Sequence, residues 1–213
     1  MKKILFIISF ALIPIQMNSQ ASSLGNWLVY IGSKQLNSKW NLHHEVQYRN
    51  YNVLGDLEQL LLRTGLGYNL GDRSNILVGY GYINGENYIG NTDEKRTSHE
   101  HRIYQQFITK QNVGILNLQH RYRFEQRFLK DNFKTRFRYF LGLSLPFKDS
   151  SYYLSAYNEI FLNGQSAVFD RNRIYGGLGY KITKNWKIEL GYMNQVFENS
   201  SRDQINLIAF VNF

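Results

Sequence analysis

The 213-residue chain has no cysteine, two prolines and few alanines. Without Cys there are no disulfides and no thiolate metal sites, so no redox argument can be made. Scarce Ala, set against 16 Tyr and 14 Phe, favours strands over helices. Long apolar runs are missing too. After the first residues no stretch approaches the roughly 18 apolar residues of a membrane-spanning helix, and the mean hydropathy is negative. Helical periodicity is sustained nowhere.

The start, "MKKILFIISFALIPIQMNSQAS", combines Lys2 and Lys3 with an apolar run from Ile4 to Ile15 and small residues after it. That is the pattern of a secretory signal peptide, and the run is too short to cross a bilayer. We assign 1–19 to the signal and 20–213 to one β-barrel domain. Losing Lys2 and Lys3 lowers the formal charge of +9 to +7.

What the rest contains is alternation, in segments of roughly ten residues separated by polar turns. Strands are predicted near 24–35, 40–50, 57–69, 76–83, 99–109, 115–128, 134–145, 152–162, 169–181, 186–197 and 204–213. The connections 37–39, 71–75, 110–114, 146–151 and 183–185 read as short. Most of the others, above all 84–98, read as longer. Short turns at one end and longer loops at the other suit an outer-membrane barrel with periplasmic short turns.

The segment "NLQHRYRFEQRF" (117–128) shows the two faces. One carries Arg121, Arg123, Glu125 and Arg127; the other carries Leu118, Tyr122 and Phe124. The apolar face continues on other strands through Leu42, Val46 and Tyr48, Leu60 to Tyr68, Phe137 to Leu143, and Trp186 to Tyr192. The charged face comprises Glu45, Arg49, Arg63, Glu100, Arg102, Arg121, Arg123, Glu125, Arg127, Arg136, Arg138, Glu159, Arg171, Arg173 and Glu189. A soluble sandwich would turn those charges to water. Two features favour turning them inward: Trp40 and Trp186 beside short turns, where an interfacial girdle belongs, and a final alternating strand ending on Phe213, a membrane-insertion signature for barrel-assembly machinery. The expected class is therefore all-β, a transmembrane up-and-down antiparallel β-barrel of 10–12 strands in the bacterial outer membrane. The predicted segments number eleven, whereas single-chain bacterial barrels use an even number.

Through "LGNWLVY" (24–30), "KWNLHHEVQYR" (39–49), "QLLLRTGLGYNL" (59–70), "SHEHRIYQQF" (98–107), "RFRYFLGLSLP" (136–146), "YNEIFLN" (157–163) and "RNRIYGGLGYK" (171–181), nearly the whole mature chain resembles a gram-negative family catalogued as a domain of unknown function and taken to form outer-membrane barrels. The resemblance implies a fold and a location, and no activity.

The interior charge leaves two roles open. Arg and Glu can satisfy one another and fill a narrow lumen, Arg123 and Arg127 flanking Glu125 while Glu159 and Glu189 meet Arg173. Alternatively the excess of Arg lines a small passive channel for anionic solutes. The different class is an outer-membrane acyl hydrolase or transferase, which needs a nucleophile and base within reach. Ser98, His99, His101 and His120 are the candidates, but Ser98 and His99 point to opposite faces of one strand, so no catalytic residue is assigned. Adjacent His43 and His44 cannot share a face either, and no metal or other cofactor is expected. The Gly clusters at 65–71 and 176–180 match no nucleotide fingerprint. Nucleic acid is not an expected partner; outer-membrane lipid and lipopolysaccharide are, the latter through Lys95 and Arg96.

Overall fold

A computed structural model describes residues 24–53, 55–90, 92–165 and 167–213. The expected signal peptide, 1–19, lies outside them. Among the described residues there are eleven strands: β1 (Gly25–Gln35), β2 (Trp40–Asn52), β3 (Gly55–Asn69), β4 (Ser74–Tyr88), β5 (Lys95–Val113), β6 (Leu116–Leu129), β7 (Asn132–Pro146), β8 (Tyr152–Asn163), β9 (Phe169–Lys181), β10 (Trp186–Val196) and β11 (Ser201–Asn212). Each pairs antiparallel with its chain neighbour, and the sheet closes on itself. Closure is by a parallel ladder between β1 and β11, from Gly25 opposite Gln204 to Ser33 opposite Asn212. An odd meander ends with its first and last strands pointing the same way. The even-number expectation fails because a parallel ladder satisfies the two edges as well as an antiparallel one would.

The contrast in loop length is absent. At the end where β1 finishes, the connections are 36–39, 70–73, 114–115, 147–151 and 182–185; at the opposite end they are 53–54, 89–94, 130–131, 164–168 and 197–200. Most of the expected loop 84–98 is strand, with Gly85 opposite Ser98 and Tyr88 opposite Lys95. The two-residue connection 114–115 turns at Gly114, whose φ of 59° suits a residue without a Cβ.

Alternation sets the two surfaces. On β2, Trp40, Leu42, Val46 and Tyr48 face outward and exposed, while Glu45 and Arg49 are buried inside. At about 3.3 Å per residue and a tilt near 40°, Trp40 to Tyr48 covers about 20 Å of height. With their side chains this matches an apolar band of about 25 Å. The outer surface ends in aromatic pairs where β1 finishes: Trp40 against Tyr68 at 4.9 Å and Tyr152 against Tyr180 at 4.8 Å. Trp186 stands exposed at the same end, called the tryptophan end below. Phe213 also lies there, its amide bonded to the Ser33 carbonyl and its ring 5.9 Å from His44.

Inside, bulky rings lie across glycines. A Cβ on Gly79 would stand 2.3 Å from Tyr104, and one on Gly179 would stand 2.1 Å from Tyr153. The interior is also two-sided. Near the closing ladder it is apolar, with Trp27, Val29, Tyr175, Met193 and Ile208 clustered and Ile31, Tyr157 and Phe210 packed against them. Most of the charge gathers on β2 to β8, with Arg173 on β9 and Glu189 on β10.

Candidate functional site

Strand parity puts every residue of the predicted charged face inside the barrel. Most are buried; Arg121, Arg127 and Arg171 are partly so. A buried carboxylate keeps its charge only when cations and donors surround it, and Glu125 on β6, wholly out of water, has them. Arg136 donates to its Oε2 from Nη2 and Nε at 2.6 and 3.0 Å, and Arg138 donates to Oε1 at 2.6 Å. Arg123, Arg63 and Arg102 stand at 3.7, 3.8 and 4.0 Å. One carboxylate thus gathers guanidinium groups from four strands.

The other acids form smaller groups. Glu159 accepts from Arg121 at 2.7 Å and from Arg138 at 2.7 and 3.0 Å, with Arg173 at 3.9 Å. Glu100 takes bidentate pairs from both Arg102 and Arg127, the shortest contacts being 2.6 Å. Glu45 accepts from Arg63 at 2.9 Å and has His43 at 3.4 Å. Arg171 and Arg136 share Asp170. Glu189 differs: it accepts from the Tyr153 and Ser155 hydroxyls at 2.8 and 2.9 Å. The expected partners therefore shift by a strand: Arg127 serves Glu100, Glu125 is held mainly from β7, and Glu189 has hydroxyl partners instead of Arg173.

Some Arg residues rest on neutral groups. Arg123 donates to Gln106 at 2.7 and 3.0 Å and lies over the Tyr104 ring. Arg173 donates to Gln195 at 2.7 Å, Arg49 donates to Gln59 at 2.7 Å, and both stack on Trp27. These neutral partners share the inward parity of the charges on their strands, which is the signal that could have identified them.

This packing divides the lumen. A cavity of about 830 Å³ opens at the tryptophan end between the 70–73 turn, Asn117, Pro146 and Lys181. Its floor is formed by Arg63, Arg123, Arg138, Glu159 and Arg173. Beyond the floor, Glu125, Arg136, Arg102 and Glu100 are buried against one another. Among the described residues, four side-chain nitrogens in this cavity's lining find no acceptor: Trp27 Nε1, Arg63 Nε, Arg121 Nε and Arg123 Nη1.

The histidines lie elsewhere. His99 and His101 sit outside, hydrogen-bonded to Tyr82 and Tyr80. His120 pairs with Tyr139 at 2.9 Å. Because His101 lies opposite Phe128 and His120 opposite Thr109, they occupy different heights. The Ser98 hydroxyl donates to the Gly85 carbonyl at 3.3 Å, and no nucleophile–base pair forms among these residues. His43 points in and His44 out, stacked on Tyr30, and no group of metal-ligating residues assembles among the described residues. Lys95 is engaged by Asp56 and by the Leu57 carbonyl, while Arg96 is exposed.

A family model described as a protein of unknown function (DUF2490) matches residues 24–206. That span runs from the start of the barrel to the middle of β11. An uncharacterised protein of Methylorubrum extorquens is 28% identical over 206 residues, covering 90% of this chain and 87% of the relative. No solved structure matches the chain. The chain belongs to the DUF2490 family of proteins of unknown function, as a closed eleven-stranded β-barrel with a charged, partitioned interior.

Proposed function

We propose that this protein is a structural barrel of the bacterial outer membrane whose lumen does not conduct. The observation that carries this is the Glu125 cluster. It packs charged side chains from four strands across the interior, beneath the vestibule at the tryptophan end. The outer surface supports the membrane setting: its height and its aromatic rim fit a hydrocarbon core and one interface. In this reading the tryptophan end faces the periplasm, Phe213 serves assembly, and lipid and lipopolysaccharide cover the outside.

Planar-bilayer recordings of the purified barrel should show no unitary steps. A reproducible anion-preferring conductance would instead establish the channel reading. Fractionation should place the protein in the outer membrane with heat-modifiable gel mobility; a periplasmic product that needs no detergent would end the membrane reading. In intact cells, an impermeant maleimide should label Asp93→Cys in the 89–94 connection and spare Lys148→Cys in the 147–151 connection. The reverse pattern would invert the orientation.

A further inference from the structure

The vestibule combines three features. Its floor presents Arg123, only 2% exposed, with Nη1 lacking a hydrogen-bond acceptor among the described residues and Glu125 Oε1 3.7 Å away. Arg63 Nε and Arg121 Nε lack acceptors in the same lining. Buried donors of this kind are rarely left unmet, and a guanidinium fork matches the oxygens of a carboxylate or phosphate. The lining is also unbalanced in charge. Arg63, Arg121, Arg123, Arg138 and Arg173 line it with Glu45 and Glu159, Lys187 stands 4.0 Å from Glu189, and Arg73, Lys110 and Lys181 line it with Asp72. The opposite wall is apolar, made by Val29, Ile31, Ile208 and Phe210. The volume, about 830 Å³, lies within the usual range for small-molecule sites, roughly 300–1,000 Å³.

We propose that the vestibule is a binding site for a small amphipathic anion, entered from the tryptophan end. Its oxyanion head, a carboxylate or phosphate monoester, accepts hydrogen bonds from Arg123 Nη1 and the neighbouring Arg121 and Arg63. Its apolar body lies along the wall built by β1 and β11. An inorganic ion would leave that wall bare, and a neutral apolar molecule would leave the arginine donors unmet. This proposal deepens the sealed-barrel reading, because a dead-end chamber retains what a pore would pass.

The test is calorimetric titration of the barrel in zwitterionic detergent with 2-naphthyl phosphate, 2-naphthol and inorganic phosphate. The naphthyl phosphate should bind at one per barrel, at least tenfold tighter than either of the others. Arg123→Gln should weaken it about tenfold or more. Ile108→Trp, which fills the vestibule without removing a charge, should abolish binding while heat-modifiable mobility confirms the folded barrel. Equal affinity for 2-naphthol would overturn the anion site, and equal affinity for phosphate would overturn the amphipathic claim. Unchanged binding in both variants would place any site elsewhere. Conductance is read separately: a conducting barrel that binds the ester refutes only the seal, and a silent barrel that does not bind it refutes only this site.

Discussion

Replacing Glu125 by Gln keeps the shape of the side chain and removes its charge. In the native cluster it accepts three charge-assisted bonds, two from Arg136 and one from Arg138, at 2.6 to 3.0 Å. The amide retains one acceptor oxygen, and its NH₂ group confronts a guanidinium. Three further guanidinium groups, at 3.7 to 4.0 Å, lose their nearest common anion. Removing one partner of a buried ionic group costs about 3–5 kcal/mol, and that is the loss expected for E125Q. The comparison is E58Q. Glu58 also pairs bidentately with Arg202, at 2.6 and 3.2 Å, but both side chains are partly exposed, 21% and 25%. Such a pair contributes at most about 1 kcal/mol. The assay is urea unfolding in lipid vesicles, followed by tryptophan fluorescence. A loss for E125Q no larger than for E58Q would refute the claim that this cluster holds the interior together.

Gly79→Val should destabilise the barrel by at least about 1–3 kcal/mol in the same assay, because Tyr104 and the Thr64 carbonyl both lie within 2.6 Å of the new Cβ. Gly176→Ala, with nothing within 4 Å, should be neutral, and equal effects would remove the packing argument. The double variant Tyr30→Cys and Ala209→Cys places two thiols at paired positions on β1 and β11, within usual disulfide reach. As the chain has no other Cys, oxidation should give one intramolecular cross-link, seen as a mobility change in heat-denatured samples. Failure of this pair, with ready cross-linking of Tyr30→Cys to a thiol elsewhere on β11, would show a different closing register.

Much of the fold was legible because burial on one face imposes a period of two. From "KWNLHHEVQYR" the inward Glu45 and Arg49 and the outward Leu42 and Val46 follow directly. The pattern faded at 84–98 for a physical reason. Beyond the apolar band both faces of a strand meet water or polar groups, so Gly85 and Glu86 pair with Ser98 and Thr97 without alternating in hydrophobicity. The closure was not legible: alternation fixes the faces of each strand and leaves open which edges meet. Nor was the pairing within the site, because parity places Arg127 and Glu125 inside without saying that Arg127 bends to Glu100 on the next strand. The apolar side of the interior had a visible sign. On β11, Ile208 and Phe210 alternate with Leu207 and Ala209, so both faces are apolar there, and only the ladder to β1 shows that one of them looks into the vestibule.

The parallel ladder has a consequence for how this architecture can vary. In a barrel with an even number of strands, the first and last strands meet at one end, and a short turn can join them. New termini can then be opened at another turn. Here the end of β11 and the start of β1 lie at opposite ends of the molecule. A connection would have to run the length of β1, eleven residues, which at about 3.3 Å each is roughly 36 Å of extended chain. The Glu125 cluster packs side chains across the interior, so that connection would run along the outer surface or add a twelfth strand. Circular permutation, which an even-stranded barrel permits with a short turn, here needs that long connection: the direction of the closing ladder sets its length.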